Sequence, residues 1–270
     1  MNAEQKNSAE IEAREGVVAF FDILGFENYL RNDPEVRSKE ALQILLGIKE
    51  EGPKWVKKRL SYQFLDSVRW NTFSDTILLT IPYPNDGEKI EKRKKECWLA
   101  ILMSSVVLMK RMFDYGLPVR GAVSFGKFFI HEKEPLFAGA PFFYAHSLAG
   151  KLNLSATALD ALATKEVRDR FPEYFKPDKG VYLAMHLLNY LTPLKDSHEK
   201  MLILNQWALH DDLDNHDIAQ LVAETFWKHG KDIDEKAAQK MRNTEMLLRY
   251  LISVKRHIRS GRKSNAIPYL

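Results

Sequence analysis

Only one cysteine, Cys97, stands among the 270 residues. An internal disulfide is therefore excluded, as are the paired thiols of a structural zinc site. The shortage of thiols suits a reducing compartment, so a cytoplasmic protein is expected. Long apolar runs are also missing: none approaches the roughly 18 residues that a membrane-spanning helix needs. The opening stretch, MNAEQKNSAEIEAREG, is polar and has no apolar secretory segment, so no membrane partner is expected. Charge of one sign is not in large excess, with 40 Lys and Arg against 36 Asp and Glu, a net +4. Positive charge is densest in Lys255-Arg256-His257-Ile258-Arg259 and Arg262-Lys263. No aromatics are interleaved there for stacking on bases, so it reads as a solvated helix face and no nucleic-acid partner is expected.

With 45% hydrophobic residues, the chain can bury a substantial core. After a polar leader (residues 1–15), Gly16-Val17-Val18-Ala19-Phe20-Phe21-Asp22-Ile23 reads as a buried strand closing on a carboxylate. Leu24-Gly25-Phe26 turns the chain. A helix after Pro34 presents Ala41, Leu42, Leu45, Leu46 and Ile48 on one face, and Pro53 is expected to end it or to start another. Tyr62–Phe73 and Thr76–Ile81 read as two strands joined by a tight hairpin at Ser74-Asp75, with an exit loop at Asn85-Asp86-Gly87. A charged start at Glu88 leads into a long apolar helix capped near Gly116. Pro118–Gly126 is a further strand, and Gly139 introduces a helix through Ala149.

The order is β-α-β-β-α-β, so the expected fold class is α+β: a ferredoxin-like core with helices on the sheet. The core domain spans 16–188. Residues 189–270 form a mostly helical C-terminal extension, with long helices near 217–229 and 234–259.

In such a core the first and third strands are central neighbours. Asp22 ends the first, and Asp75 lies in the hairpin that opens the third, so both reach one rim of the sheet. Either aspartate alone has an ordinary use as a cap or turn residue. As a pair they repel unless a cation neutralises them, and Mg²⁺ or Mn²⁺ fits because such ions take oxygen ligands and share them with phosphates. The Ile23 carbonyl is a candidate third oxygen. Leu24, Gly25 and Phe26 begin a turn into helix, where backbone amides bind phosphate. Such a site suits phosphoryl transfer.

Phe20-Phe21-Asp22-Ile23-Leu24-Gly25-Phe26 resembles the first-strand signature of the class III nucleotidyl cyclases. Phe73-Ser74-Asp75-Thr76 stands where that family carries its second metal aspartate, and Val119–Gly126 is similar to its fourth strand. Gly139 through Ala145 resembles the next loop and helix, so the likeness covers roughly residues 16–155. The match is nearest to the bacterial anti-phage pyrimidine cyclases of Pycsar systems. The resemblance implies a lyase that converts UTP or CTP into cUMP or cCMP plus pyrophosphate, with two Mg²⁺ or Mn²⁺ ions on Asp22 and Asp75. It also implies a homodimer and a separate effector that senses the product.

Asn71 occupies the position that helps choose the base in purine cyclases, and its amide suits either the O4/N3 edge of uracil or the N4/N3 edge of cytosine. The transition-state Asn and Arg of animal-type cyclases fall on Phe143 and Ser147. Arg120 is therefore the candidate donor to the departing pyrophosphate, with Lys127 and Lys151 behind it. A catalytically silent nucleotide- or partner-binding module, or a purine cyclase, are the alternative readings. A diguanylate-cyclase-like palm enzyme is disfavoured because Phe73-Ser74-Asp75-Thr76 lacks the Gly-Gly-acid-acid-Phe hairpin. His210–Asp217 lacks the spacing of a calcium or zinc site, leaving Asn215 or Asp217 to cap a helix. Lys228–Lys231 reads as a helix end, Cys97 as a packing residue, and Phe142-Phe143-Tyr144 as core, dimer contact or base-stacking wall.

Overall fold

The apolar run from Gly16 is the inner half of a longer strand, β1 (Ile11–Ile23). Residues 11–15 pair with the far end of another long strand. The computed structural model describes residues 11–59, 67–85, 88–131, 137–172, 187–206, 217–227 and 234–259. After β1 come α1 (Phe26–Arg31), α2 (Pro34–Arg59), β2 (Arg69–Phe73), β3 (Thr76–Pro82), α3 (Ile90–Asp114) and β4 (Val119–His131). Next are β5 (Phe137–Ala138), α4 (Ala140–Lys151), β6 (Thr157–Leu159) and α5 (Ala161–Arg170). Then follow β7 (Leu187–Pro193), β8 (His198–Leu204), α6 (Ile218–Trp227) and α7 (Glu235–Arg259).

The described strands form an 8-stranded sheet in the order β2-β3-β1-β4-β6-β8-β7, with β5 beside β4. Its first four strands have the ferredoxin-like order, with β1 and β3 as antiparallel neighbours. Alternation along β1 separates two cores. Val17, Ala19, Phe21 and Ile23 pack with the apolar faces of α2 and α3, while Val18 and Phe20 pack beneath α4 against Ala145 and Ala149. Asp22 follows the even-numbered set and belongs to the α4 face.

The α2 helix runs through Pro53 instead of ending there. Buried Trp70 packs close to Gly52, so tertiary contact supports the turn that proline weakens. Of the expected strand at Tyr62–Phe73, residues 69–73 form β2, and residues 62–66 lie outside the described residues. The same holds for Asp86 and Gly87 of the exit loop, His210–His216, Lys228–Lys231, Arg262 and Lys263.

The C-terminal extension is mostly helical, as expected, and opens with a strand hairpin. β7 and β8 form a hairpin, and β8 joins the main sheet through Ala158↔Ile203. The 188/189 boundary therefore falls inside β7. A third cluster joins Leu24, Leu152, Leu154, Leu188 and Ile203 to α6 and α7 through Val222, Leu247 and Leu251. That cluster seats the terminal helices at the Asp22 end of β1. Asp217 caps α6 by accepting from Ala219 N at 3.0 Å and Gln220 N at 3.3 Å. Cys97 is buried, and desolvation pushes its thiol up to about 11, consistent with packing. Among the described residues no helix is long and apolar enough to cross a membrane.

Gly121 lets β4 lie against β1: a Cβ there would sit 2.6 Å from Phe21 Cε1 and 2.9 Å from the Phe20 carbonyl oxygen. Gly121→Val should therefore destabilise the fold by about 1–3 kcal/mol through overpacking, read as a lower midpoint in thermal or urea unfolding. An unchanged midpoint would contradict this close approach.

Candidate functional site

Antiparallel register places the site. Asp22 faces Thr76 of β3 on one side and Arg120 of β4 on the other. Ser74 takes a left-handed φ of 54°, closing the two-residue turn that brings Asp75 next to Thr76. Ile23 N donates to the Asp75 carbonyl at 3.0 Å and Leu24 N to the Pro118 carbonyl at 2.9 Å. The end of β1 is thereby held between the hairpin and the entry to β4. Asp22 and the Asp75 backbone therefore lie at the same rim of the sheet.

Asp22 Oδ2 accepts from Arg120 Nε at 2.8 Å and Nη2 at 2.7 Å. The side chains are 23% and 15% exposed, so the pair is shielded from solvent on most sides. Arg120 Nη1 donates to the carbonyls of Gly150 at 3.2 Å and Leu152 at 3.3 Å, at the C-terminal end of α4, where a cation is favoured. Four of the five guanidinium N–H directions have partners if each of these contacts uses its own hydrogen. Arg120 is therefore, in this structure, a positioning residue for Asp22. Asp22 Oδ1 receives no hydrogen bond from the described residues, and the Asp75 carboxylate makes no hydrogen bond or ion pair with them.

Two partly buried carboxylates with open oxygen lone pairs fit a hard divalent ion. Among the described residues no group of three or more His, Cys, Asp or Glu gathers to hold a metal. Further ligands would have to be the Ile23 carbonyl, water or phosphate oxygens, the pattern of Mg²⁺ shared with a substrate.

The other expected residues divide. Gly25 has φ 69°, a left-handed conformation that favours glycine. Leu24 is buried with its amide committed to Pro118, so its backbone does not serve phosphate as expected. Phe26 starts α1, a helix of only 6 residues. Lys151 belongs to the rim, since its carbonyl accepts from Lys195 N at 2.9 Å and its neighbours Gly150 and Leu152 bind Arg120. Lys127 does not belong. It pairs with Glu15 at the other end of the ribbon, seven positions from Arg120. At strand rise that is about 23 Å, and the odd spacing puts it on the opposite face.

Asn71 lies on β2, not in the turn, and faces Leu78, which faces Phe20. It therefore shares the α4 face with Asp22, and its buried Nδ2 has no hydrogen-bond partner. On α4, Phe143 is 67% exposed and Ser147 half-buried, so neither supplies the missing guanidinium or amide. Phe142 packs against Phe128 and Phe137, while Tyr144 is exposed.

Two residues escaped the sequence reading. His146 meets the Phe20 ring edge-on at 5.0 Å, two positions from Asp22 along the same face. Its i, i+4 spacing from Phe142 was the available signal. Lys240 of α7 lies within electrostatic reach of Arg120 and Asp22, and no local pattern marks it.

No family model matches the chain, and no curated protein matches it. Solved structures do. The dimeric guanylyl cyclase domain of the RhoGC fusion protein from the aquatic fungus Blastocladiella emersonii is 13% identical, covering 72% of this chain and 96% of its own, with a TM-score of 0.44. The guanylate cyclase domain of RhGC from Catenaria anguillulae, in complex with GTP, is 13% identical over 72% of this chain and 98% of its own, with a TM-score of 0.42. A class III adenylyl cyclase-like ATP-binding protein from Pseudomonas aeruginosa is 17% identical over 60% of this chain and 37% of its own, with a TM-score of 0.38.

None of the three is a pyrimidine cyclase. The expectation of UTP or CTP specificity, with its cUMP, cCMP and antiviral roles, is corrected on that finding. The physical reason is that Asn71 offers both a donor and an acceptor, which does not select a pyrimidine edge. At these identities and TM-scores the likenesses assign no activity.

Arg120→Met should cost about 1–3 kcal/mol of stability by leaving Asp22 unpaired in a shielded site. Asp22→Asn combined with Arg120→Met should cost less than the sum of the two single changes, measured by urea unfolding. Strict additivity would show that the pair is not coupled.

Proposed function

We propose that this chain binds a nucleoside triphosphate with a divalent metal at Asp22 and Asp75 and closes it to the 3′,5′-cyclic monophosphate. The observation that carries the reading is that the two aspartates lie at one rim, with Asp22 Oδ1 and the Asp75 carboxylate open. In the reaction the ribose 3′-oxygen bonds to the α-phosphorus, the bond from that phosphorus to the bridging oxygen breaks, and pyrophosphate leaves. The 3′-hydroxyl proton passes to solvent. Mg²⁺ or Mn²⁺, when bound, supplies Lewis-acid charge to the phosphates. Asp22 and Asp75 hold it, with the Ile23 carbonyl as a further oxygen. Arg120 holds Asp22 in place, and Lys151 adds positive charge at the rim.

Asn71 is the base-facing candidate, since its Nδ2 lacks a partner on the same face. The similar proteins bind or act on ATP or GTP by name, so a purine nucleotide is the substrate proposed. A homodimer joined over the α4 face is part of the proposal. It is supported by Phe73 at 82% exposure and by exposed Phe143 and Tyr144. A cytoplasmic location is supported by the single, buried thiol of Cys97.

A second reading is binding without turnover. It is favoured by Phe143 and Ser147 at the transition-state positions and by the commitment of Arg120 to Asp22. Purified protein incubated with ATP or GTP and Mn²⁺ or Mg²⁺, with CTP and UTP as comparisons, separates the two by product mass. A cyclic purine monophosphate is expected, reduced at least about a hundredfold in Asp22→Ala and Asp75→Ala, the scale of losing one charge-stabilising group. Binding without any cyclic product assigns the second reading, and product surviving in both variants overturns the metal site.

A further inference from the structure

The C-terminal helix is tied to the rim by side-chain bonds as well as by the apolar cluster beneath it. Asn243 Nδ2 donates to the Asn153 carbonyl at 2.8 Å, and Thr244 Oγ1 accepts from Ser155 N at 2.9 Å. Ser155 Oγ in turn donates to the carbonyl of Val119, the residue before Arg120, at 2.8 Å. The segment 150–155 thus touches Arg120 on one side and α7 on the other. Asn153 N also donates to the Pro193 carbonyl, and Lys195 N to Lys151, which brings the turn between β7 and β8 to the same place.

Lys240 stands one helical turn before Thr244, on the stretch of α7 held by these bonds. It is half-buried, and its charged neighbours are Arg120, Lys195, Asp234 and Asp22. Burial first, then Arg120, holds its ammonium below the ordinary lysine pKa. Asp22 is already engaged by Arg120, and among the described residues Lys240 makes no ion pair. Asp234, the other carboxylate near it, is engaged at the start of α7, accepting from Ala237 N at 2.7 Å. The half-buried ammonium beside Arg120 and Lys195 thus makes no ion pair with either carboxylate, a costly arrangement for a lysine with only a packing role. An anion placed beside Lys240 and Lys195 would relieve it. Phosphate oxygens suit this place, because Lys195 of the β7–β8 turn and Lys240 of α7 both lie against the 150–155 segment, while Arg120 stays on Asp22.

We propose that Lys240 is a phosphate-binding residue contributed by the C-terminal helix, and that it takes the outer phosphates of the nucleoside triphosphate held at Asp22 and Asp75. This rests on the nucleotide reading above, and it gives α7 a part in the site rather than a purely structural one.

The test uses the full chain and three probes in calorimetric titration: ATP and GTP with Mg²⁺, and inorganic tripolyphosphate without metal. Lys240→Met should weaken the binding of tripolyphosphate and of the triphosphate that binds by about tenfold or more, with Lys240→Arg close to wild type. Lys236→Met, at an exposed position on the same helix, should change neither. The melting temperature of unliganded Lys240→Met should equal or exceed that of wild type. If Lys240→Met fails to fold, Lys240→Gln replaces it, read by the loss of the thermal shift that tripolyphosphate induces. Triphosphate binding within twofold of wild type in the neutral variant would overturn the proposal. Lys240-dependent binding of tripolyphosphate with no ATP or GTP bound would overturn the nucleotide reading and leave the phosphate site standing. No binding of any probe to wild type would overturn both.

Discussion

The two bonds from Arg120 to Asp22 Oδ2 organise the functional end of this molecule. They lie across β1 and β4, whose 13-residue strands form the long antiparallel ribbon at the centre of the sheet. The remaining Arg120 contacts reach the end of α4, so one guanidinium joins sheet and helix at the rim. Buried ion pairs often contribute little net stability, because both charges lose water. This one has a second consequence: it turns one oxygen of Asp22 inward and leaves the other open. If a metal binds, it meets a carboxylate whose orientation is already fixed.

Because Arg120 is committed to Asp22, other cations would have to meet the developing charge of a polyphosphate. The fold gathers them from distant parts of the chain. Lys151 ends α4, Lys195 lies between β7 and β8, and Lys240 stands on α7. The C-terminal residues complete the wall of the rim, and β8 extends the main sheet.

The elements around the aspartates were legible because their signals are local. The apolar run closing on Asp22 and the Ser74-Asp75 hairpin fixed which strand ends meet. What failed depended on direction or distance. Lys127 looks close to Arg120 along the chain, but seven positions of strand carry it to the other end and the other face. Leu24 looked like a phosphate-binding amide until Pro118 supplied its acceptor. Strands β7 and β8, at 187–193 and 198–204, carry no clean period-2 alternation, so nothing local set them apart within a mostly helical C-terminal region. Lys240 is placed by α7 packing on residues 153–155, which no sequence pattern near position 240 reveals. Base choice was not legible either, because the Asn71 amide presents both hydrogen-bonding senses.

The central claim is that Asp22 and Asp75 form one metal site that is completed by phosphate. Paramagnetic titration of Mn²⁺, with and without a non-hydrolysable analogue of ATP or GTP, tests it directly. The account predicts weak Mn²⁺ binding to the protein alone, tightened by the analogue beyond its own affinity for the ion, and lost in both Asp22→Asn and Asp75→Asn. Equal Mn²⁺ binding by wild type and both variants in the presence of the analogue would contradict it.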